Sequence, residues 1–358
     1  MPKIVHVVGA RPNFMKIAPI VAALRAHPAI TQRLIHTGQH YDPRMAAVFF
    51  DELGLPRPDR DLGVGGGSHA EQTGAIMVRV EQALTEERPD LVVVVGDVNS
   101  TLAAALVAAK AGVPVAHVEA GLRSFDRTMP EEINRIVTDR VSDLLFTTEH
   151  SGTEHLRAEG IADDKIHFVG NCMIDSLLRH LPAAQAAAPW LQFGQLPGGY
   201  GLVTLHRPAN VDDAAALART LDMLADIGAR LPLIFPIHPR TRARIGDRTI
   251  PNVVFAPPLP YLTFLGLMST AMLVLTDSGG VQEETTALGI PCVTMRDNTE
   301  RPITIELGTN VLAGTQPDRV RDVVVSLIAA PRRSYQVPPL WDGNAAVRIV
   351  DVLERYAR

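Results

Sequence analysis

Leu91-Val92-Val93-Val94-Val95-Gly96-Asp97 decides the fold: five consecutive aliphatic residues run straight into a glycine and a carboxylate. A strand with one face in water alternates apolar and polar residues. One that is apolar at every position is covered on both faces, as strands of a parallel sheet are. Helical patterns flank it, Glu71–Leu84 before and Thr101–Ala111 after, so the local unit is β-α-β with right-handed connections. The alternation extends outward. Further strands are expected at Ile4–Val8, Arg33–Thr37, Val113–Val118, Leu144–Thr147 and Ile166–Val169, and a helix at Pro19–Ala26. A second series begins after residue 200. Its strands are Leu202–Leu205, Leu233–Ile237, Val253–Ala256, Met272–Thr276 and Pro291–Met295. Its helices are Asp213–Ile227, Tyr261–Ser269, Val281–Leu288 and Pro317–Ile328. Residues 181–200, rich in Ala, Pro and Gly, read as a linker or surface excursion. A last helix, Asn344–Tyr356, follows a break at Pro338–Gly343.

The chain is 358 residues long, more than one hydrophobic core usually serves. Two doubly wound, Rossmann-like α/β domains are therefore expected, 1–171 and 172–340, with 341–358 as a terminal helix. Apolar residues make up 46% and charged residues 20%, an ordinary globular balance. With 34 Lys and Arg against 39 Asp and Glu, the net charge of −5 argues against a general nucleic-acid binder. Two cysteines, Cys172 and Cys292, form neither a disulfide framework nor a zinc pattern, and point to a reduced, cytoplasmic setting. The apolar run at Ile4–Val8 is too short for a signal-peptide core, and no run approaches the roughly 20 residues of a membrane helix.

In open parallel sheets, ligands sit beyond the carboxyl ends of the strands. The residues leaving those ends are Gly9-Ala10-Arg11-Pro12-Asn13-Phe14-Met15-Lys16, Gly96-Asp97, Glu119, His206-Arg207, His238 and Asp277-Ser278-Gly279-Gly280. Asp97 and Glu119 are the sharpest pair. One helix separates their strands, which places both carboxylates on one rim, and two carboxylates in one cleft can divide acid and base roles. Asp97 could instead cap the next helix alongside Asn99 and Ser100. Glu131 and Glu132 follow Pro130 at a helix start; acidic residues favour that place, and Glu131 can pair with Arg135 at i+4. Arg11 and Lys16 flank another helix start and suit a diphosphate. There is no G-x-G-x-x-G, so a nicotinamide cofactor loses its usual support. Ser278-Gly279-Gly280 lets backbone N–H groups approach an anion. Gly65-Gly66-Gly67-Ser68 reads as a flexible loop. His36 and His40 have metal-like spacing, but Gly38 between them spoils the helix it requires, so no metal is expected.

These residues also resemble a known family. His117-Val118-Glu119-Ala120-Gly121-Leu122-Arg123 followed by Pro130-Glu131-Glu132-Ile133-Asn134-Arg135 is similar to the non-hydrolysing UDP-N-acetylglucosamine 2-epimerases. So is Thr276-Asp277-Ser278-Gly279-Gly280-Val281-Gln282-Glu283-Glu284 followed by Thr299-Glu300-Arg301-Pro302. Gly170-Asn171 and Asp342-Gly343 agree, and Gln39-His40-Tyr41 with Ser124-Phe125-Asp126-Arg127 resembles an archaeal-like branch. The resemblance runs in order over nearly the whole chain. It implies a glycosyltransferase-B-like fold with the site in an interdomain cleft, a homodimer, and an isomerase working without metal or nicotinamide. The substrate it implies is a UDP-sugar, with UDP-N-acetylglucosamine and UDP-N-acetylmannosamine interconverted by elimination of UDP to a 2-acetamidoglucal and re-addition.

By that resemblance Arg11, Lys16 and His206 hold the leaving diphosphate, with Ser278, Gly279 and Gly280 on the phosphate side. Asp97, Glu119 and Glu131 become the acid and base candidates at C2. Glu131 joins them through the resemblance alone. Phe264, Glu284 and Arg301 match positions that contact nucleotide or sugar, Phe264 against uracil. Asn13, Ala209 and Ile303 stand where the family usually carries carboxylates, and lost carboxylates usually mean lost hydroxyl contacts, so a related UDP-2-acetamido sugar is an alternative substrate. A two-domain UDP-sugar glycosyltransferase is the other alternative, which would need only one base near C1.

Overall fold

The computed structural model describes residues 1–38, 50–211, 213–330 and 334–357. It divides into two compact units, Met1–Ser176 with Pro339–Arg358, and Leu177–Pro338. Unit 1 is built on seven parallel strands among the described residues: β1 (Lys3–Val8), β2 (Thr31–His36), β3 (Arg60–Asp61), β4 (Leu91–Val95), β5 (Val115–Ala120), β6 (Leu144–Thr147) and β7 (Ile166–Phe168). Their spatial order is β3-β2-β1-β4-β5-β6-β7. All five residues of β4 are buried, as its unbroken aliphatic run requires of a strand covered on both faces. Val92 and Val94 pack with Val5, Val7 and Ile35 of the neighbouring strands and with Ile76, Val80, Ala104 and Ala108 from helices His69–Glu87 and Asn99–Lys110.

The terminal helix Ala345–Ala357 belongs to unit 1. Asp175 caps it from across the chain, accepting from the N–H groups of Ala345 (3.2 Å) and Ala346 (2.7 Å). Trp341 Nε1 donates to Thr148 O at 2.9 Å and fixes the approach to that helix. Two backbone donors on one buried carboxylate satisfy the open end of the helix, which a solvent cap would do elsewhere.

Unit 2 repeats the plan with β8 (Gly201–Thr204), β9 (Leu233–Pro236), β10 (Val253–Ala256), β11 (Leu273–Thr276), β12 (Cys292–Thr294) and β13 (Asn310–Leu312), ordered β10-β9-β8-β11-β12-β13 and parallel throughout. Its core joins Val203, Phe235, Leu275 and Val293 of the sheet to Leu221, Leu224, Val320 and Val324 of helices Ala214–Gly228 and Pro317–Ala329. In each sheet the winding direction reverses once, between β1 and β4 and between β8 and β11. Those reversals are where doubly wound sheets open a crevice at their carboxyl edge.

Three sequence readings change. The first helix runs Arg11–Leu24 and so starts well before Pro19, which lies inside it; Pro12 opens it, and a proline needs no N–H partner in a first turn. Residues 181–186 are not linker but the end of helix Cys172–Ala186, which carries Pro182 within it. β3 and β13, of two and three residues, are too short for a period to show in sequence. No helix among the described residues is long and apolar enough to cross a membrane.

Candidate active site

Unit 1 places its candidate residues around the β1/β4 reversal. β4 and β5 run parallel with Val95 opposite Val118, so Asp97 and Glu119 leave the sheet at the same edge. The β5 register slips between Val118 and Ala120, and Glu119 itself takes a left-handed backbone with φ of 73°. Such a conformation costs a non-glycine residue on the order of 1–3 kcal/mol and persists where the surroundings impose it. Here Glu119 Oε1 accepts from Lys16 Nζ at 2.6 Å, with both side chains buried. Gly96 lies against this pair: a β-carbon there would stand 3.1 Å from Lys16 Nζ. Lys16, expected to meet a diphosphate, thus has its ammonium on Glu119. Arg11 is half-buried at the first position of helix Arg11–Leu24.

Asp97 stands one residue before Val98, the N-cap position of the following helix. Its carboxylate accepts from Arg135 Nη2 at 2.5 Å, while Nη1 of the same guanidinium donates to Glu132 Oε2 at 2.5 Å. Asn134 Nδ2 donates to Asp97 O at 2.9 Å. The start of helix Pro130–Val141 is thereby docked on Asp97, and half-buried Glu131 comes with it. Glu131 and Glu132 divide their work. Glu132 is buried and accepts from Ser124 N, Ser124 Oγ and Phe125 N, so it secures the loop after β5; its partner Arg135 lies at i+3. Beneath, His117 Nε2 donates to Gly96 O at 2.8 Å, and its Nδ1 lies 2.7 Å from Asp139, which also meets Arg123.

Unit 2 centres on the β8/β11 reversal, where Thr204 pairs with Thr276. His206 follows one strand and Asp277 the other. Asp277 is fully buried, and its carboxylate gathers His206 N (3.0 Å), Arg207 N (2.9 Å), Asn210 Nδ2 (2.9 Å) and His206 Nδ1 (2.9 Å). Burial alone would raise its pKa; the bond and charge of His206, with Asn210 and Arg207, overrule burial and hold it below the usual range. Half-buried Ser278, Gly279 and Gly280 form the amino end of helix Gly279–Leu288, a helix start that favours an anion, while Ser278 N donates to Thr276 Oγ1 at 3.0 Å. A β-carbon on Gly279 would meet Glu300 Oε1 at 2.6 Å and Arg301 Nη1 at 2.8 Å. Arg301 is buried between Glu283 (2.8 Å) and Glu300 (2.6 Å). Glu284 is buried on the same helix and accepts from Tyr261 Oη at 2.9 Å. Phe264 follows Tyr261 on helix Tyr261–Thr270 and is half-buried.

A family model described as UDP-N-acetylglucosamine 2-epimerase matches residues 22–354. The chain belongs to this family. It is 42% identical to the UDP-N-acetylglucosamine 2-epimerase of Methanocaldococcus jannaschii, over 98% of each protein. It is 43% identical to the UDP-2,3-diacetamido-2,3-dideoxy-D-glucuronate 2-epimerase of Pseudomonas aeruginosa, over 89% of this chain and 90% of that one. Its structure is similar to the crystal structure of the M. jannaschii enzyme in complex with UDP-GlcNAc and UDP, with a TM-score of 0.90, 41% identity and 99% of both chains covered.

The departures from the family pattern take on physical meaning. Asn13 is 1% exposed and spends its amide on the backbone: Oδ1 accepts from Gly9 N (3.1 Å) and Ala10 N (3.0 Å), and Nδ2 donates to Val95 O (2.9 Å). It ties the β1 loop to β4. Ile303 is buried and opens the short helix Ile303–Glu306. Sequence reasoning left Asp277 and Tyr261 without a role, and gave Glu132 and Arg135 only places at a helix start, with Arg135 as a partner for Glu131. Asp277 acts on His206, Arg135 on Asp97 and Tyr261 on Glu284 through contacts that spacing alone does not reveal, while Glu132 reaches Asp97 only through Arg135; an acidic residue directly at a strand end, as Asp277 is, was a usable signal. His36 pairs with Asp61 at 3.2 Å; His40 and the run Gln39-His40-Tyr41 lie outside the described residues. Among the described residues no group of His, Cys, Asp and Glu is arranged to hold a metal ion.

Proposed function

We propose that this chain is a non-hydrolysing isomerase that interconverts UDP-N-acetylglucosamine and UDP-N-acetylmannosamine. The observation that carries the reading is the pair Asp97 and Glu119, two carboxylates at one sheet edge, each bonded to its own buried cation, Arg135 and Lys16. C2 of the sugar is too weakly acidic to give its proton to a carboxylate unaided. The C1–O bond therefore breaks with its electron pair going to the β-phosphate oxygen, while a carboxylate takes the C2 proton and the C2–H pair becomes the C1=C2 bond. Re-addition of UDP, with a proton delivered to the opposite face of C2, completes the inversion. Asp97, Glu119 and Glu131 supply the base and the acid. His206, Arg11, the Ser278 hydroxyl and the N–H groups of Gly279 and Gly280 take up the charge that develops on the leaving diphosphate. Phe264 packs on uracil, and Glu284 contacts the nucleotide-sugar. Arg301, already committed to Glu283 and Glu300, supports Gly279.

The relative of 43% identity favours a second reading, in which the substrate is a UDP-2,3-diacetamido sugar carrying a carboxylate. Proton NMR in D2O separates the two. UDP-N-acetylglucosamine is expected to yield the manno epimer with H2 replaced by deuterium. Turnover of the diacetamido uronate but not of UDP-N-acetylglucosamine would select the second substrate, and turnover of neither would end both readings. Free N-acetylmannosamine would instead mark a hydrolysing enzyme. The reading also carries a homodimer in the cytoplasm, to be tested by sedimentation and fractionation; both cysteines are free and buried, which suits a reducing compartment.

A further inference from the structure

Asp277 has a chemical consequence for His206 that the family pattern does not spell out. Its carboxylate is fully buried and kept ionised by the groups around it, so it can only accept hydrogen bonds. Three of its partners, His206 N, Arg207 N and Asn210 Nδ2, are donors by nature. The fourth, His206 Nδ1 at 2.9 Å, could in principle present either a lone pair or a hydrogen. Facing an acceptor-only group, it must carry the hydrogen. That leaves Nε2 as the nitrogen whose state can change, on a ring whose side chain is 58% exposed. Arg207 Nε adds a bond to Asp277 O at 3.1 Å, so the loop that carries the imidazole is held by backbone and side chain alike.

We propose that Asp277 is a positioning residue: it fixes His206 with Nδ1–H inward, so that Nε2 is the atom presented to the leaving diphosphate. The proposal rests on the reading of His206 given above. It assigns Asp277 no contact with substrate and no proton transfer of its own. A carboxylate behind an imidazole sets its tautomer and stabilises the cation that forms when negative charge builds up in front of it.

Two measurements test this. In the resting wild-type chain, 15N NMR of labelled histidine, with the His206 signals assigned by their loss in His206→Gln, is expected to show Nδ1 protonated. A ring protonated only at Nε2 overturns the proposal, and this holds even if the Asp277→Asn variant fails to fold. Asp277→Asn keeps the side-chain shape and removes the charge. We expect kcat to fall roughly 10²- to 10³-fold while KM moves by less than about threefold. Residues that act as a unit are not additive, so the double variant Asp277→Asn/His206→Gln should be no slower than His206→Gln alone. Losses that multiply would show Asp277 acting through something other than His206 and overturn the proposal. The wild-type assay in D2O keeps the two levels apart: absent C2 exchange there defeats the proposed function, while the tautomer of the resting protein still decides the case of Asp277.

Discussion

The two sheet reversals use charge in opposite senses. In unit 1 the cation is sunk and the carboxylate shows: the Arg135 side chain is 3% exposed and that of Asp97 25%. In unit 2 the carboxylate is sunk and the imidazole shows, with Asp277 at 0% and His206 at 58%. Both arrangements occupy the same place in the same topology, so the fold fixes where these groups stand and the side chains fix the sign of the charge there. A carboxylate backed by a buried cation suits a proton that must be taken and returned. An imidazole backed by a buried carboxylate suits negative charge that appears and disappears on a leaving group. Lys16–Glu119 departs from the first pattern, because both members are buried and the carboxylate holds a strained backbone as well.

Glu119→Gln offers the largest expected break in that contrast. Glutamine keeps the shape but cannot accept the C2 proton, and it leaves the buried Lys16 ammonium without its counter-charge. Loss of a general base typically lowers the rate 10²- to 10⁴-fold, and with the ion pair gone as well about 10³-fold or more is expected in kcat. Deuterium entry at C2 should fall in parallel. UDP affinity, measured by calorimetry, should change by less than about threefold, since phosphate binding is assigned to other groups. If UDP binding collapsed together with exchange, Glu119 would be a scaffold residue, and the division of labour between the reversals would fail.

A second imidazole sharpens the comparison at the level of stability. His6 lies within β1, wholly buried, and burial drives its pKa from 6.5 down to about 4. The native state therefore stays neutral at a pH where the unfolded chain already binds a proton. Stability from this group is complete above about pH 6.5 and is lost as pH falls toward 4, amounting to ~3 kcal/mol over that window. Urea unfolding of unit 1, followed between pH 7 and 4.5, should show that decline, and His6→Leu should flatten it. A decline of equal steepness in the variant would assign it to other groups.

Much of this was legible in the residues, and the illegible parts share a cause. β4 and β6 have the bounds their apolar runs suggested, because burial on both faces writes itself on every position. Asp97 and Glu119 could be picked out because they directly follow such runs. The division between Glu131 and Glu132 could not be read, since it depends on where Ser124 and Phe125 turn back. Asn13 looks in sequence like a missing carboxylate, yet its amide makes three bonds to backbone that includes β4. Asp277 meets His206 across 71 residues of chain. Asn13–Val95 and Asp277–His206 are contacts between segments that only the sheet order brings together, whereas Glu132 meets a nearby loop whose path the sequence does not show.

The smallest expected effect is the most discriminating for unit 2. In Gly279→Ala the new methyl would stand 2.6 Å from Glu300 Oε1 and 2.8 Å from Arg301 Nη1. Neither group can yield freely. Arg301 is ion-paired with Glu283 as well, and Glu300 also accepts from Arg296 at 2.8 Å. The helix start must therefore shift by some tenths of an ångström, and the N–H groups at Ser278–Gly280 shift with it. UDP affinity is expected to weaken about tenfold, worth ~1.4 kcal/mol, while deuterium exchange at saturating substrate stays within about threefold of wild type. That pattern would place binding at the unit 2 helix and proton transfer at the unit 1 carboxylates. The reverse, intact UDP affinity with slowed exchange, would mean that the Ser278–Gly280 turn serves the reacting carbon rather than the diphosphate, and the contrast between the two reversals would have to be redrawn.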